Sequence, residues 1–398
     1  MRPTGLTPVT DPDGAVGRES LIARASGPSA PAVSNRHEAG VGISLCSTAF
    51  PTIECKAMDG SDGSNPEEAE KRAMSTEGDW GRIARRLTEA AAQASARWVG
   101  KGENDVADAA AVEALENGLR TAGINATIVI GEGEKDDAPY LVPGTTIGPD
   151  TSPALDIAVD PLEGTTLVAE DRPGALSVLA LAPAGALMPL GRAFYMKKLI
   201  GPPAAADVLR LEASPERLVP AVAEALGVVV SDLRVAVQER PRHDSLVASI
   251  RDTGAQVHLF GEGDLSFALL ALQERGDGDA RTQRTEVPID LLWGIGGAPE
   301  GILSAAAQRV LGGAARLQPA PRSEAERRRL EDDSDLPEVV GQTFRARDLV
   351  QTDRVVMALT GVTDGPLLGG IRSQDDGHRV ETLLLTPDEG RRRVCTTQ

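Results

Sequence analysis

The chain has 398 residues, enough for two packed domains of ordinary size. Its formal net charge of −18 and the lack of any basic stripe argue against nucleic acid as a partner, but not against a small phosphorylated ligand, because bound divalent cations reverse the local sign. It has no apolar run of about 18 residues to span a membrane, and no basic region followed by an apolar stretch to act as a secretory signal.

Residues 1 to 77 are rich in Pro, Gly, Ser and Ala with little apolar periodicity, so they are expected to be a disordered extension. A start further downstream, at Met58 or Met74, accounts for the same composition, and so does a functional tail. The three cysteines, Cys46, Cys55 and Cys395, fall near the ends and outside every periodic segment. They have neither zinc-ligand spacing nor the even count of a disulfide scaffold, which points to a reducing cytoplasm. From Asp79, the spacing of Trp80, Ile83, Leu87, Ala91, Ala94 and Trp98 predicts an amphipathic helix, and a second runs from Asp105 to Ala122. Strands are predicted at Ala126–Ile130, Leu155–Val159 and Ala175–Ala182, with a turn at Pro183-Ala-Gly185.

The second half alternates more regularly. Ser214-Pro215-Glu216 opens a helix, with Ser as cap and Pro in the first turn. Strands then follow at 233–238, 255–260 and 289–293, and helices at 243–252, 264–272 and 301–311. Aromatics are scarce, so Ala, Val, Leu and Ile must build the core. The alternation predicts an α/β fold on a largely parallel sheet, preceded by a more α+β-like half. The expected organisation is an extension (1–77), an α+β part (78–215) and an α/β part (216–398).

Three acidic motifs follow predicted strands, the usual place for a site in layered α/β proteins. In Gly131-Glu132-Gly133-Glu134 the glycines let the chain turn sharply and expose Glu132, with Asp136 one short turn later. Alone, this is equally a solvated acidic turn. In Asp156-Ile-Ala-Val-Asp160-Pro161-Leu162-Glu163-Gly164-Thr165 the strand delivers Asp160, Pro161 is expected to stop it, and Gly164-Thr165 can start a helix whose free amides accept a phosphate. Paired carboxylates beside such a cradle suit hard divalent cations. In Gly294-Ile-Gly-Gly297-Ala-Pro-Glu300-Gly301 the glycines permit close backbone approach, and Glu300 stands at a helix N-terminus. Asp108, on the second helix, is a fourth candidate that by itself reads as an ordinary surface acid.

Cations for the remainder of a ligand come from Arg240-Pro241-Arg242-His243, because guanidinium forks bind phosphate oxygens bidentately. Glu262-Gly263-Asp264 ends the next strand and suits sugar hydroxyls. Tyr195 either caps the pocket or packs. His243 has no partner at metal-ligand spacing and is not expected to bind metal.

In this order and at these distances the motifs resemble the class II fructose-1,6-bisphosphatases from about Trp80 to about Leu385. Trp98-Val-Gly-Lys-Gly-Glu103, Ala107–Val112, Tyr195-Met-Lys-Lys-Leu199 and Thr360-Gly-Val-Thr-Asp-Gly365 add to the resemblance. It implies a layered α-β-α-β-α sandwich of the sugar and inositol phosphatase type. It also implies a cytoplasmic, gluconeogenic enzyme, a homodimer or homotetramer, that uses Mn²⁺ or Mg²⁺ to remove the 1-phosphate of fructose 1,6-bisphosphate. By position the family's metal ligands fall on Asp108, Glu132, Asp160, Glu163 and Glu300. Its substrate contacts fall on Glu163, Gly164, Thr165, Tyr195, Arg240, Pro241, Arg242, Glu262, Gly263, Asp264 and Gly297. Asp136 and Thr165 match the pair that orients the attacking water. Ala109 replaces a usual Gly, Arg240 a Lys, and Glu262 an Asp. Another sugar bisphosphate, such as sedoheptulose 1,7-bisphosphate, is the nearest alternative. A non-catalytic sensor would be expected to lack the metal ligands, and all five are present.

Overall fold

The computed structural model describes residues 77–131, 141–149, 154–190, 193–275, 289–331, 339–374 and 377–397. Glu132, Asp136, Cys46, Cys55, the expected N-terminal disorder and most of the charged segment after Arg275 lie outside these residues. No helix among the described residues is long and apolar enough to cross a membrane.

Two mixed sheets carry the fold. The first has the order β11-β12-β10-β4-β3-β1-β2, with β13 added beside β12. Its members are β1 (Asn125–Ile130), β2 (Thr146–Ile147), β3 (Ala154–Glu163), β4 (Leu176–Pro183), β10 (Val356–Gly361), β11 (Arg372–Gln374), β12 (Gly377–Thr386) and β13 (Gly390–Thr397). The second has the order β7-β6-β8-β5-β9, from β5 (Tyr195–Gly201), β6 (Arg234–Gln238), β7 (Gln256–Phe260), β8 (Leu291–Gly297) and β9 (Ala314–Pro319). The expected parallel sheet is realised in β7-β6-β8, whereas β5 and β9 run antiparallel to their neighbours. Sheet membership also does not divide at 215/216, since β5 joins the second sheet and β10–β13 return to the first.

Period-two alternation along each strand sorts the core into three clusters and so reveals the layers. On β4, Leu179 and Leu181 pack with α1 (Glu77–Ala96) and α2 (Asn104–Thr121). Val178, Ala180 and Ala182 face the other way, onto α6 (Asp264–Ala271) and α7 (Ala298–Leu311). The far side of those two helices meets Met196, Ile200 and Leu292 of the second sheet. Leu199, Val235 and Trp293, on that sheet's outer face, pack with α4 (Pro215–Leu226) and α5 (Asp244–Asp252). The layer order is therefore α-β-α-β-α. The central helices suit a position between two sheets: every residue of α6 is buried, and α7 buries Ala305, Ala306 and Ala307. Three short helices complete the described α-helices: α3 (Thr165–Ala169), α8 (Glu324–Glu331) and α9 (Ala346–Leu349).

Four sequence expectations are corrected. Pro161 does not stop its strand. β3 runs on to Glu163 through a bulge, with Asp160 opposite Val178 and Glu163 opposite Leu176. A bulge tolerates proline because its extra residue needs no ladder hydrogen bond. The glycine run 294–297 is not a loop after a strand but the last four residues of β8, because β5 pairs along it as far as Tyr195 opposite Gly297. Cys395 lies within β13, opposite Glu381, and is a free thiol. Trp98 falls beyond α1: the amide of Gly100 donates to Val168 O at 2.9 Å and draws the chain off the helix.

Candidate active site

The bulge in β3 sets the first half of the site. Residues three apart on a regular strand point to opposite faces. Here the extra residue restores the phase, so Asp160 and Glu163 lie opposite Val178 and Leu176, which both face the central helical layer. Asp160 Oδ1 accepts the amide of Leu162 at 3.1 Å, shaping the bulge from inside. Gly164 then takes a left-handed conformation (φ 87°), and Thr165 starts α3. Asp156, further back on β3, is a packing group: its Oδ2 accepts the Leu187 amide at 2.9 Å.

Glu163 is 5% exposed, and its Oε1 accepts the amide of Leu265, in the first turn of α6, at 3.1 Å. Beside it, Asp264 Oδ2 pairs with Lys198 Nζ at 2.7 Å, both side chains nearly out of solvent. Burial, followed by the charges of Asp264 and Glu300, raises the Glu163 carboxyl well above the ordinary range, against the pull of the Leu265 amide and Lys198. Glu163 Oε2 and Asp264 Oδ1 are buried and accept no hydrogen bond from the described residues.

The end of β8 is the axis of the site. A Cβ on Gly296 would fall 2.0 Å from Asp264 Oδ2, and one on Gly297 would fall 1.9 Å from Glu300 Oε2. These two glycines therefore make room for two carboxylates. Glu300 occupies the first turn of α7, where a negative charge is favoured. One residue earlier, Ile295 turns its polar groups to the cationic side. Its carbonyl accepts Arg242 Nη2 at 2.7 Å, and its amide donates to His243 Nε2 at 2.8 Å. His243 Nδ1 donates to Gln238 O at 2.7 Å, so both ring nitrogens are occupied in joining β6 to β8.

Two arginines gather around Tyr195, with Arg240 in charge range of one of them. Arg242 Nη2 also donates to Gln238 Oε1 at 2.9 Å, and its guanidinium lies 5.9 Å from the Tyr195 ring. Arg322 stands over the same ring at 4.5 Å. Burial and the charges of Arg322 and Arg240 draw the Arg242 pKa down, as expected where like charges converge. Arg240 follows β6 on the 3-10 turn that contains Pro241, and its Nη2 lies 3.8 Å from Glu262 Oε1. Gly263 (φ 82°) caps α6 and delivers Asp264.

The structure thus brings Asp264 and Glu300 into charge range of Glu163, sets Gly297 against Glu300, and brings Arg240 into charge range of Arg242, which lies beside Tyr195. Asp108 is half-buried on α2, which packs against β3 and α3. Among the described residues, no three His, Cys, Asp or Glu side chains are grouped closely enough to hold a metal ion, and Glu132 lies outside them. The oxygen-only donor set and the buried, unsatisfied Glu163 Oε2 nevertheless fit a hard cation. Sequence reasoning missed Lys198, whose burial depends on the β5–β8 pairing. It also missed Arg322, three residues beyond β9. The pairing of Met196 with Pro319 carries that segment past Tyr195.

A family model described as bacterial fructose-1,6-bisphosphatase, glpX-encoded, matches residues 82–398. A relative from Synechococcus sp. (strain RCC307), named D-fructose 1,6-bisphosphatase class 2/sedoheptulose 1,7-bisphosphatase, is 38% identical over 322 residues, covering 78% of this chain and 93% of the relative. Similarly named proteins are 36% identical from Prochlorococcus marinus (strain NATL1A), with the same coverage, and 39% identical from Synechococcus sp. (strain JA-3-3Ab), covering 75% and 89%. A solved structure of an extragenic suppressor from Pyrococcus furiosus matches at 13% identity and a TM-score of 0.28, covering 50% of this chain and 72% of that one. That last likeness carries no weight.

Proposed function

Because the chain belongs to the class II fructose-1,6-bisphosphatase family, we propose that it hydrolyses the 1-phosphate of fructose 1,6-bisphosphate, releasing fructose 6-phosphate and inorganic phosphate. The observation that carries this reading is the end of β8, where a carboxylate cluster about Glu163 adjoins an arginine cluster about Arg242. Such a pairing of clusters fits a substrate with two phosphates, one hydrolysed and one held.

Asp108, Glu132, Asp160, Glu163 and Glu300 would hold Mn²⁺ or Mg²⁺, which when bound supplies positive charge to the phosphoryl oxygens and acidifies water. Arg240 and Arg242 hold the distal phosphate, and anchoring of Arg242 to Ile295 O presets the direction of its fork. Asp136, acting with Thr165, orients the attacking water and takes its proton as a P–O bond forms in line and the ester P–O bond breaks, the sugar oxygen leaving with the bonding pair and taking up a proton from solvent to become a hydroxyl. Gly164, Glu262, Gly263 and Gly297 complete the substrate contacts. The first sheet would supply most metal ligands and the second the sugar-phosphate contacts, within a cytoplasmic homodimer or homotetramer.

Phosphate release from fructose 1,6-bisphosphate, measured with and without Mn²⁺, tests the proposal. The absence of metal-dependent release from any sugar bisphosphate would overturn it. Sedoheptulose 1,7-bisphosphate is the second reading, favoured by the double names of the relatives. Glu262, one methylene longer than Asp, stands at the sugar-contacting position and pairs with Arg240. Comparing kcat/KM for the two bisphosphates decides between them.

A further inference from the structure

The far end of the second sheet holds another concentration of positive charge. A cavity of 240 Å³ is lined by Asp207, Arg210, Arg309, Arg316, Arg345 and Arg347, together with Gln308 and small residues. Five guanidiniums face one lining carboxylate, in a chain whose net charge is −18. We propose that this cavity is a second anion site, for a small phosphate-class anion, separate from the arginines around Tyr195.

Position separates the two sites. β5 and β9 run together from Met196 opposite Pro319, beside Tyr195, to Gly201 opposite Ala314, beside the cavity. Likewise Glu300 lies in the first turn of α7 and Arg309 in its last. Nine residues of helix place them roughly 14 Å apart along the axis.

The arginines are arranged for a ligand and not merely solvated. Arg309 pairs with Asp353, and Arg347 lies 3.9 Å from Asp348. Among the described residues, Arg210, Arg316 and Arg345 form no ion pair with a carboxylate. Arg316 is half-buried in the cavity wall. Its Nη1 donates to Ala315 O at 3.0 Å and its Nη2 to Ala206 O at 2.8 Å, which fixes the plane of its fork. Burial and the nearby charges of Arg345, Arg210 and Arg347 lower its pKa, opposed by Asp207. Like charges held together against their repulsion are stabilised by an anion of charge two or more, and preset guanidinium forks match phosphate oxygens. The volume lies below the roughly 300 Å³ at which pockets for larger ligands begin. It suits a phosphate, a pyrophosphate or a small phosphate ester, and is too small for a dinucleotide.

Calorimetric titration of the full chain tests this. An Arg242→Gln host removes a principal cation of the substrate site. Inorganic phosphate, pyrophosphate and glycerol 3-phosphate are each titrated into the host, and into the host that also carries Arg210→Gln and Arg345→Gln. The host should bind one anion per chain, and the two added substitutions should weaken it at least about tenfold. Arg345→Lys should weaken it less than Arg345→Gln. Since the rim arginines repel one another, the Arg210→Gln, Arg345→Gln chain should melt no lower than its host in low salt. That separates loss of binding from loss of fold. Tighter binding of glycerol 3-phosphate than of phosphate identifies an organic ester as the ligand class, and the reverse order identifies an inorganic anion. No binding of any of the three to the host at millimolar concentration, or unchanged affinity after the rim substitutions, would overturn the site.

Discussion

Lys198 and Asp264 meet Nζ to Oδ2 at 2.7 Å, with side chains only 2% and 9% exposed, in the layer between the two sheets. Lys198 shares the inward face of β5 with Met196 and Ile200, and Asp264 opens α6 behind the left-handed Gly263. The lysine favours the charged form of Glu163, opposing its burial and the charges of Asp264 and Glu300. Removing one partner of a buried pair leaves the other charge uncompensated, which costs about 3–5 kcal/mol. Lys198→Met should therefore unfold at markedly lower urea concentration. Lys198→Met combined with Asp264→Asn should recover much of the loss, and a double variant no more stable than Lys198→Met would refute the pairing.

Gly296 and Gly297 are adjacent, yet alanine should act differently at each. At Gly296 the new methyl meets Asp264 Oδ2, which is tied to Lys198, and lies 3.1 Å from Lys198 Nζ. Neither group can easily move, so overpacking of about 1–3 kcal/mol is expected as a lower melting temperature. At Gly297 the methyl meets the flexible end of Glu300. Gly297→Ala should keep its fold, lose kcat and require more Mn²⁺ for half-maximal activity. Thermal melts and metal titrations of both variants check the contrast.

The carboxylates were more legible than the groups that balance them. Asp160, Glu163 and Glu300 sit among glycines and a proline next to predicted strand ends, a pattern that packing alone does not call for. Lys198 gives no such signal. In Tyr195-Met-Lys-Lys it reads as one of two surface lysines, and only the pairing of β5 with β8 makes it a buried countercharge. Lysine is so rarely buried that local pattern works against finding it. The bulge was hidden for a related reason. Proline ordinarily ends a strand, and only β4, pairing on both sides of Pro161, carries β3 past it. β13 opens, after Gly390, with three successive arginines, opposite Leu385, Leu384 and Leu383 of β12, and one of them pairs with Glu381. Three like residues in a row carry no period-two alternation, so periodicity does not register the strand.

Arg322 should behave as part of the substrate site. Its guanidinium lies over Tyr195 and acts on Arg242 by charge. Charge-assisted hydrogen bonds to a phosphate contribute about 1.5–3 kcal/mol, so Arg322→Ala should raise KM for a sugar bisphosphate about ten- to a hundredfold. The effect on kcat should be small, because the distal phosphate is bound alike in the ground and transition states. Arg322→Lys should recover part of the loss. Steady-state kinetics with an unchanged KM would remove Arg322 from the site.

His243 couples stability to pH in a definite direction. It is buried, donates from Nδ1 to Gln238 O and accepts the Ile295 amide at Nε2, an arrangement open only to the neutral ring. Burial lowers its pKa below the ordinary value, and the charges of Arg242 and Arg240 add to this. The Gln238 carbonyl and Asp244 act the other way. With a folded pKa below about 6.5, the unfolded chain takes up this proton first as pH falls. The stabilisation is fully present above about pH 6.5 and declines as pH drops toward the lower folded value. Over that window the slope approaches about 1.4 kcal/mol per pH unit for one proton. His243→Gln should be less stable at pH 7.5, because Gln238 O or the Ile295 amide loses its partner. It should also lose less stability than the wild type between pH 7.5 and 5.5. Urea unfolding of both proteins across that range measures the difference, and parallel pH profiles would show that His243 titrates alike in the folded and unfolded chains.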